Sequence, residues 1–275
     1  MTEIDTEALT QAYEAALAHE KAGRPDEAKP LYEECLLLDP SDQVGASVRL
    51  AALGLAKAPA KAPDAYVEAL FDQHAEDFDD ILTGQLGYAV PMQLAQWLDA
   101  QDAGPFDRLL DLGCGTGLVG MMLMERCQHA TGVDLAEKMV EAADERSAYD
   151  ALFVNEAVHF LEEYAKSKDP AHQPFDLIVA ADVLPYIGAL EPLFDGIAAN
   201  AEPGALLAIS CETLPNLHTG WSITPNQRFA HAKKYIHDMC ERAGFLDVEL
   251  FEEITVRTEQ GAPIPGYLMV ASMPE

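Results

Sequence analysis

The sequence predicts an α/β protein: an open, mostly parallel sheet with helices on its faces, preceded by a small all-α segment. Three observations carry this. From Asp102 onward, short apolar runs bounded by turn residues alternate with stretches of helical spacing. One of those runs, Arg108 to Leu112, opens directly into Gly113-Cys114-Gly115-Thr116-Gly117 and then into a helix. Residues 6–55 carry helical spacing throughout.

Taken in order, Thr6 to Ala22 and Pro25 to Leu38 pattern as two helices around an Ala22-Gly23 turn, and Asp42 to Leu55 as a third. Gly23, Ala28, Tyr32, Cys35 and Pro40 resemble the turn glycine, small contacts, aromatic and closing proline of a tetratricopeptide repeat, with Ala16 at the small position of the first helix. The match runs to about one and a half repeats. So short an array cannot bury its own apolar face, so residues 1–55 are expected to dock. The surface they meet is their own catalytic domain, a second copy of the chain, or a protein partner. Residues 56–63, Ala-Lys-Ala-Pro-Ala-Lys-Ala-Pro, have the composition of a semi-extended linker. Residues 64–101 form a helical cap, with helices at Ala65 to Gln73, Glu76 to Gly84 and Pro91 to Asp99. Phe71 and Phe78, seven apart, serve either as core or as a lid over a ligand; Tyr88 is a weaker candidate of the same kind.

Residues 102–275 form the α/β domain. Asp111 is the unusual member of the first strand, because a carboxylate at the end of a buried strand needs a cation or several donors. The next strand, His129 to Leu135, places Asp134 at its end, where an acid can take both hydroxyls of a ribose. Ala151 to Val154 is a third strand, followed by Asn155, Glu156 and Ala157; Asn155 suits a helix N-cap and Glu156 the helix dipole. Phe175 to Leu184 is a fourth strand and its exit, carrying Ala180, Ala181 and Asp182 to the sheet edge where ligands bind. Gly204 to Glu212 is the fifth. A long loop, Thr213 to Phe229, holds His218; a helix spans His231 to Ala243; and strands at Leu246 to Arg257 and Gly266 to Met273 close the chain.

Asp111, Gly113, Gly115 and Gly117 fill all four positions of motif I of the class I S-adenosylmethionine (SAM) methyltransferases, which the chain resembles over residues 64–275. The resemblance implies a Rossmann-like sheet of seven strands with the last inserted antiparallel. It implies SAM as cofactor, held by Asp111, Gly113, Cys114, Gly115, Gly117, Asp134, Leu135, Asn155, Glu156, Ala157 and Ala180, with Phe71 and Phe78 closing over it. Tetratricopeptide helices fused to such a domain resemble a bacterial group of predicted methyltransferases. The function implied is methyl transfer to a small-molecule acceptor. Alternatives are a protein methyltransferase or a SAM-sensing adaptor. Gly115-Thr116-Gly117-Leu118-Val119-Gly120 also fits a dinucleotide fingerprint and leaves an NAD-linked oxidoreductase as a further alternative. Against that, Asp111 would face a pyrophosphate of like charge.

Methyl transfer needs a base for the acceptor's proton. Candidates are His218, His231, Glu212 and Asp182, with His74 a further one if the lid closes. No His, Asp or Glu cluster shows metal-ligand spacing, so no metal is expected. The net charge of −30, from 17 basic and 47 acidic residues, repels nucleic acid and anionic lipid. No run approaches the ~20 apolar residues of a membrane span. Five scattered cysteines and an acidic N-terminus, Met1 to Asp5, with no secretory signal point to the cytoplasm.

Overall fold

The computed structural model describes residues 4–169, 172–259 and 261–275; Met1 to Glu3 of the acidic N-terminus lie outside it. Three helices open the chain: α1 (Thr6–Lys21), α2 (Pro25–Leu38) and α3 (Ala46–Ala52). Ala12 and Ala16 of α1 meet Ala28, Tyr32 and Cys35 of α2, and Leu50 closes the cluster. Small side chains let the two helices approach, and the Tyr32 ring fills the space. Tyr32 donates to Glu20, which also takes Arg49 at 3.2 Å, so one carboxylate ties the three helices together. The third helix is shorter than expected. Asp42 stands in left-handed backbone and accepts the N–H groups of Ala46 and Ser47 at 2.6 and 3.0 Å, which satisfies first-turn donors from outside the helix.

The proline-rich stretch after α3 is extended, and it is pinned rather than free. Ala62 N–H donates to the Tyr186 carbonyl, and Gly188 and Ala189 N–H both donate to the Ala60 carbonyl, all at 2.8 Å. Lys61 thereby bridges Ile187 antiparallel. The cap follows, with α4 (Asp64–Asp72) and α5 (Val90–Ala100). The single helix expected over 76–84 is instead a 3-10 turn, Ala75–Asp77, and a short π-helix, Asp80–Gln85. Asp79 sits at the break, its carboxylate held by Thr116 and Arg146.

From Phe106 the chain alternates β1 (Phe106–Leu112), α6 (Leu118–Leu123), β2 (Cys127–Asp134), α7 (Glu137–Glu145), β3 (Ala151–Val154), α8 (Ala157–Lys166), β4 (Phe175–Ala180), α9 (Glu191–Asn200) and β5 (Ala201–Glu212). Then come β6 (Trp221–Ile223), β7 (Phe229–His231), α10 (Lys233–Arg242), β8 (Asp247–Glu259) and β9 (Ala262–Ser272). The first five strands are parallel in the order β3-β2-β1-β4-β5. Beside β5 lies β9, antiparallel, from Leu206 against Ser272 to Glu212 against Gly266, and β8 pairs with β9 outside it. The expected antiparallel insertion is present.

Two further strands appear: β6 inside the expected loop, and β7 from its last residue to His231, so that the helix starts at Lys233 rather than His231. β6 and β7 form a ribbon that touches the end of β5 at Glu212 and Ala230. Each is three residues long, too short to show a period. The sheet is buried on both faces: Leu110, Leu112 and Ile178 join one core, Leu109, Leu177 and Val179 the other. That is why these strands read as unbroken apolar runs. Val48 of α3 shares a buried cluster with Ala62, Tyr186 and Phe229, so the N-terminal helices dock on their own α/β domain. No helix among the described residues is long and apolar enough to cross a membrane.

Candidate active site

A cleft of about 980 Å³, partly open to solvent, lies at the carboxyl ends of β1, β2, β3 and β4. This is the edge where open α/β sheets bind ligands. Gly113, Cys114 and Gly115 form its floor, Asp134, Leu135, Asn155, Glu156 and Ala157 one end, and Ala181, Asp182, Val183 and Tyr186 the other. Phe71, Phe78, Leu82 and Tyr88 of the cap cover it.

The glycine loop is bent inward by its own hydrogen bonds. Gly113 and Cys114 N–H donate to the Val133 carbonyl at 2.7 and 3.0 Å, Gly117 N–H to the Cys114 carbonyl at 2.9 Å, and Gly115 N–H to Asp134 Oδ2 at 2.8 Å. Gly113 has φ +67° and a Cβ there would run into Val183. The loop therefore offers bare backbone, with four of its N–H groups already spent. A pyrophosphate needs such donors free, so the dinucleotide alternative loses its main contact. Gly120, last glycine of that pattern, makes room for the Tyr149 ring, 2.6 Å from where a Cβ would stand.

Asp111 is fully buried and does not line the cleft. Tyr149 donates to its Oδ2 at 2.5 Å and itself accepts Gly120 N–H at 3.1 Å; Asp111 Oδ1 has no hydrogen-bond partner among the described residues. Burial pushes its carboxyl up to about 7, opposed by the Tyr149 hydrogen bond and reinforced by Asp134. Gly117 also stays out of the cleft and opens α6 with φ +94°. Ala180 is buried in the core beneath Ala181.

Asp134 lines the cleft, anchored by Gly115 N–H on one oxygen and by Ala136 N–H at 2.9 Å on the other. The cap of α8 is Glu156 rather than the expected Asn155. Glu156 caps α8 by accepting His159 N–H at 2.8 Å, and its other oxygen meets Lys61 at 3.3 Å. Asn155 Oδ1 lies 2.9 Å from His159 Nδ1. The pinned strap thus closes this end of the cleft through Lys61, which also pairs with Asp64 at 2.8 Å. Phe71 packs edge-on against Phe78 and Tyr186, centroids 5.7 and 5.3 Å apart. Thr116 Oγ1 donates to Asp79 at 2.6 Å and Arg146 pairs with the same carboxylate, which latches the cap to the glycine loop.

Of the four candidate bases, Asp182 lines the cleft and the other three do not. Asp182 takes left-handed backbone, φ +59°, with its N–H on Ser210 Oγ at 2.9 Å. Strained backbone of this kind concentrates at functional sites. Glu212 is buried against Arg257, with Arg228 3.9 Å away. His231 is a core residue: Nε2 lies 2.9 Å from the Ile187 carbonyl, so it donates, and burial lowers the ring to about 4, keeping it neutral. His218 is exposed on the far loop. On α10, His237, Asp238 and Glu241 lie within 4.8 Å of one another, a grouping the spacing did not reveal, but Lys234 already holds Asp238 at 2.6 Å.

Sequence reasoning missed Lys61, Asp79, Thr116, Arg146 and Arg257. Arg257 is 1 % exposed and meets Glu212, Glu259 at 2.6 Å and Asp182 at 3.2 Å. Its one signal was a lone arginine in a strand otherwise rich in acids, Asp247, Glu249, Glu252, Glu253 and Glu259.

Residues 110–207 match the family model described as a methyltransferase domain. A ubiquinone biosynthesis O-methyltransferase of Xylella fastidiosa is 29% identical over 103 residues, 38% of this chain and 41% of that protein. The chain therefore spans less than half the length of that relative. A ubiquinone biosynthesis O-methyltransferase of Hahella chejuensis is 24% identical over 205 residues, 67% of this chain and 83% of that one. In fold, the chain is similar to the 1,6-didemethyltoxoflavin-N1-methyltransferase of Burkholderia thailandensis, solved with bound 1,6-didemethyltoxoflavin and S-adenosylhomocysteine (TM-score 0.58, 18% identity, 80% of this chain and 94% of that one). With the matched model and the antiparallel strand between β5 and β8, the chain has the class I SAM-dependent methyltransferase fold, and residues 110–207 carry its methyltransferase-domain signature.

Proposed function

We propose that this chain transfers a methyl group from SAM to a small-molecule acceptor in the cleft above β1 and β4. The observation that carries this is the convergence on one space of an inward-bonded glycine loop, a strand-end acid at Asp134 and an aromatic cap. Asp134 takes the ribose hydroxyls, Leu135 and Ala157 bracket the adenine, and Asn155 and Glu156 lie at its edge. Gly113, Cys114 and Gly115 lie under the methionine part. Asp111, out of the cleft, shapes the loop from below through Tyr149. Bound SAM supplies a methyl group on a sulfonium.

The chain's own residues align and seal. Phe71, Phe78 and Tyr186 exclude water, and Asp182 accepts the acceptor's proton. Residues 6–55, tetratricopeptide-like in pattern, act as a cap on their own domain, since Val48 is buried against Phe229 and Tyr186. The five free cysteines suit a reducing cytoplasm. Crystals grown with S-adenosylhomocysteine test the reading: density for the nucleoside beside Asp134 supports it, and a cleft filled by side chains contradicts it.

A further inference from the structure

The reading above leaves the acceptor unnamed, and the polar groups at the β4 end of the cleft narrow it. Tyr186 is already committed: its hydroxyl accepts from Arg228 Nη1 at 2.7 Å. Two remain. Tyr88 is 7 % exposed, lines the cleft, and its hydroxyl has no hydrogen-bond partner among the described residues. Asp182 spends Oδ1 on Arg257 at 3.2 Å and keeps Oδ2 unpaired. With no partner among the described residues, the Tyr88 hydroxyl is left to pair with what enters the cleft.

We propose that Tyr88 and Asp182 form the acceptor subsite, and that it takes an uncharged, ring-bearing molecule presenting an O–H or N–H to Asp182. This rests on the SAM reading and deepens it. The walls are the rings of Phe71, Phe78 and Tyr186, which favour a flat apolar body. Charge restricts the ligand from both sides. A carboxylate would face Asp182, in a chain of net charge −30. A cation would lie beside the sulfonium. Arg228 offers no rescue for an anion, because it is turned onto Tyr186, 5.0 Å over its ring. Tyr88 both donates and accepts, so it serves the same ligand oxygen or nitrogen that donates to Asp182.

The test uses fragments rather than the unknown acceptor. S-adenosylhomocysteine is titrated first, then phenol, anisole, benzoate and benzylamine are titrated by ligand-observed NMR against the nucleoside-loaded full chain. Phenol is expected to bind, anisole, which lacks the donor, at least ~5-fold more weakly, and the two charged fragments about 10-fold more weakly or not at all. Asp182→Asn and Tyr88→Phe should each weaken phenol about 3- to 10-fold. The second keeps the ring packing, so it reads the subsite even if Asp182→Asn unfolds by stranding Arg257. Benzoate binding as well as phenol, or phenol indifferent to Tyr88→Phe, overturns the subsite while leaving the cofactor reading intact. No binding of S-adenosylhomocysteine overturns both.

Discussion

Asp111 shows how far a single residue can be read. Its type and place called for a cation or several donors; the structure supplies one donor, Tyr149, 38 residues on, and leaves Oδ1 without a partner among the described residues. Burial raises its carboxyl from the ordinary range to about 7, so the folded state holds the proton more tightly than the unfolded chain. The stability this gives is complete below about pH 4 and is lost as pH rises through 7, a swing of up to about 4 kcal/mol. In thermal melts of the ligand-free protein, Tm should fall between pH 5 and 7.5, and Asp111→Asn should flatten that slope. An unchanged slope would mean that Asp111 is ionised throughout. The place of Asp134 at the sheet edge was legible, because the strand before it ends beside the glycine turn. Asp134→Ala removes the anchor of Gly115 and the proposed ribose acceptor together, and should weaken S-adenosylhomocysteine on the order of 100-fold by calorimetry.

Among the elements, the central strands were the most readable, since burial on both faces writes an apolar run into each. The cap was least readable. Its apolar spacing gave a helix over 76–84, but Asp79 is drawn to Thr116 and Arg146, 37 and 67 residues away, and the backbone winds as 3-10 and π turns around that tie. The tie has a consequence for ligand exchange. Arg146→Met frees Asp79 and should speed release of S-adenosylhomocysteine a few-fold in stopped-flow displacement, with little change in Tm, because both partners are partly exposed. The catalytic candidates divided on the same ground. Asp182 reached the cleft because it leaves a central strand, whereas His231 lies on a short ribbon strand that turns it into the core.

At the scale of the whole molecule, the N-terminal helices, the strap and the sheet are one structure. Composition marked residues 56–63 as a spacer, yet their backbone bonds to Tyr186, Gly188 and Ala189 fasten the helices across the mouth of the cleft. Main-chain pairing carries no side-chain signature, so the sequence was silent on it. Val48 is the buried contact of that docking. Val48→Asp strands a charge there and should lower Tm by roughly 5 °C or more in scanning calorimetry. The account as a whole turns on what the cleft accepts. Calorimetric titration of the full chain with S-adenosylhomocysteine should show one site per chain that Asp134→Ala abolishes or greatly weakens. No heat with that nucleoside, together with saturable binding of NADH, would contradict it.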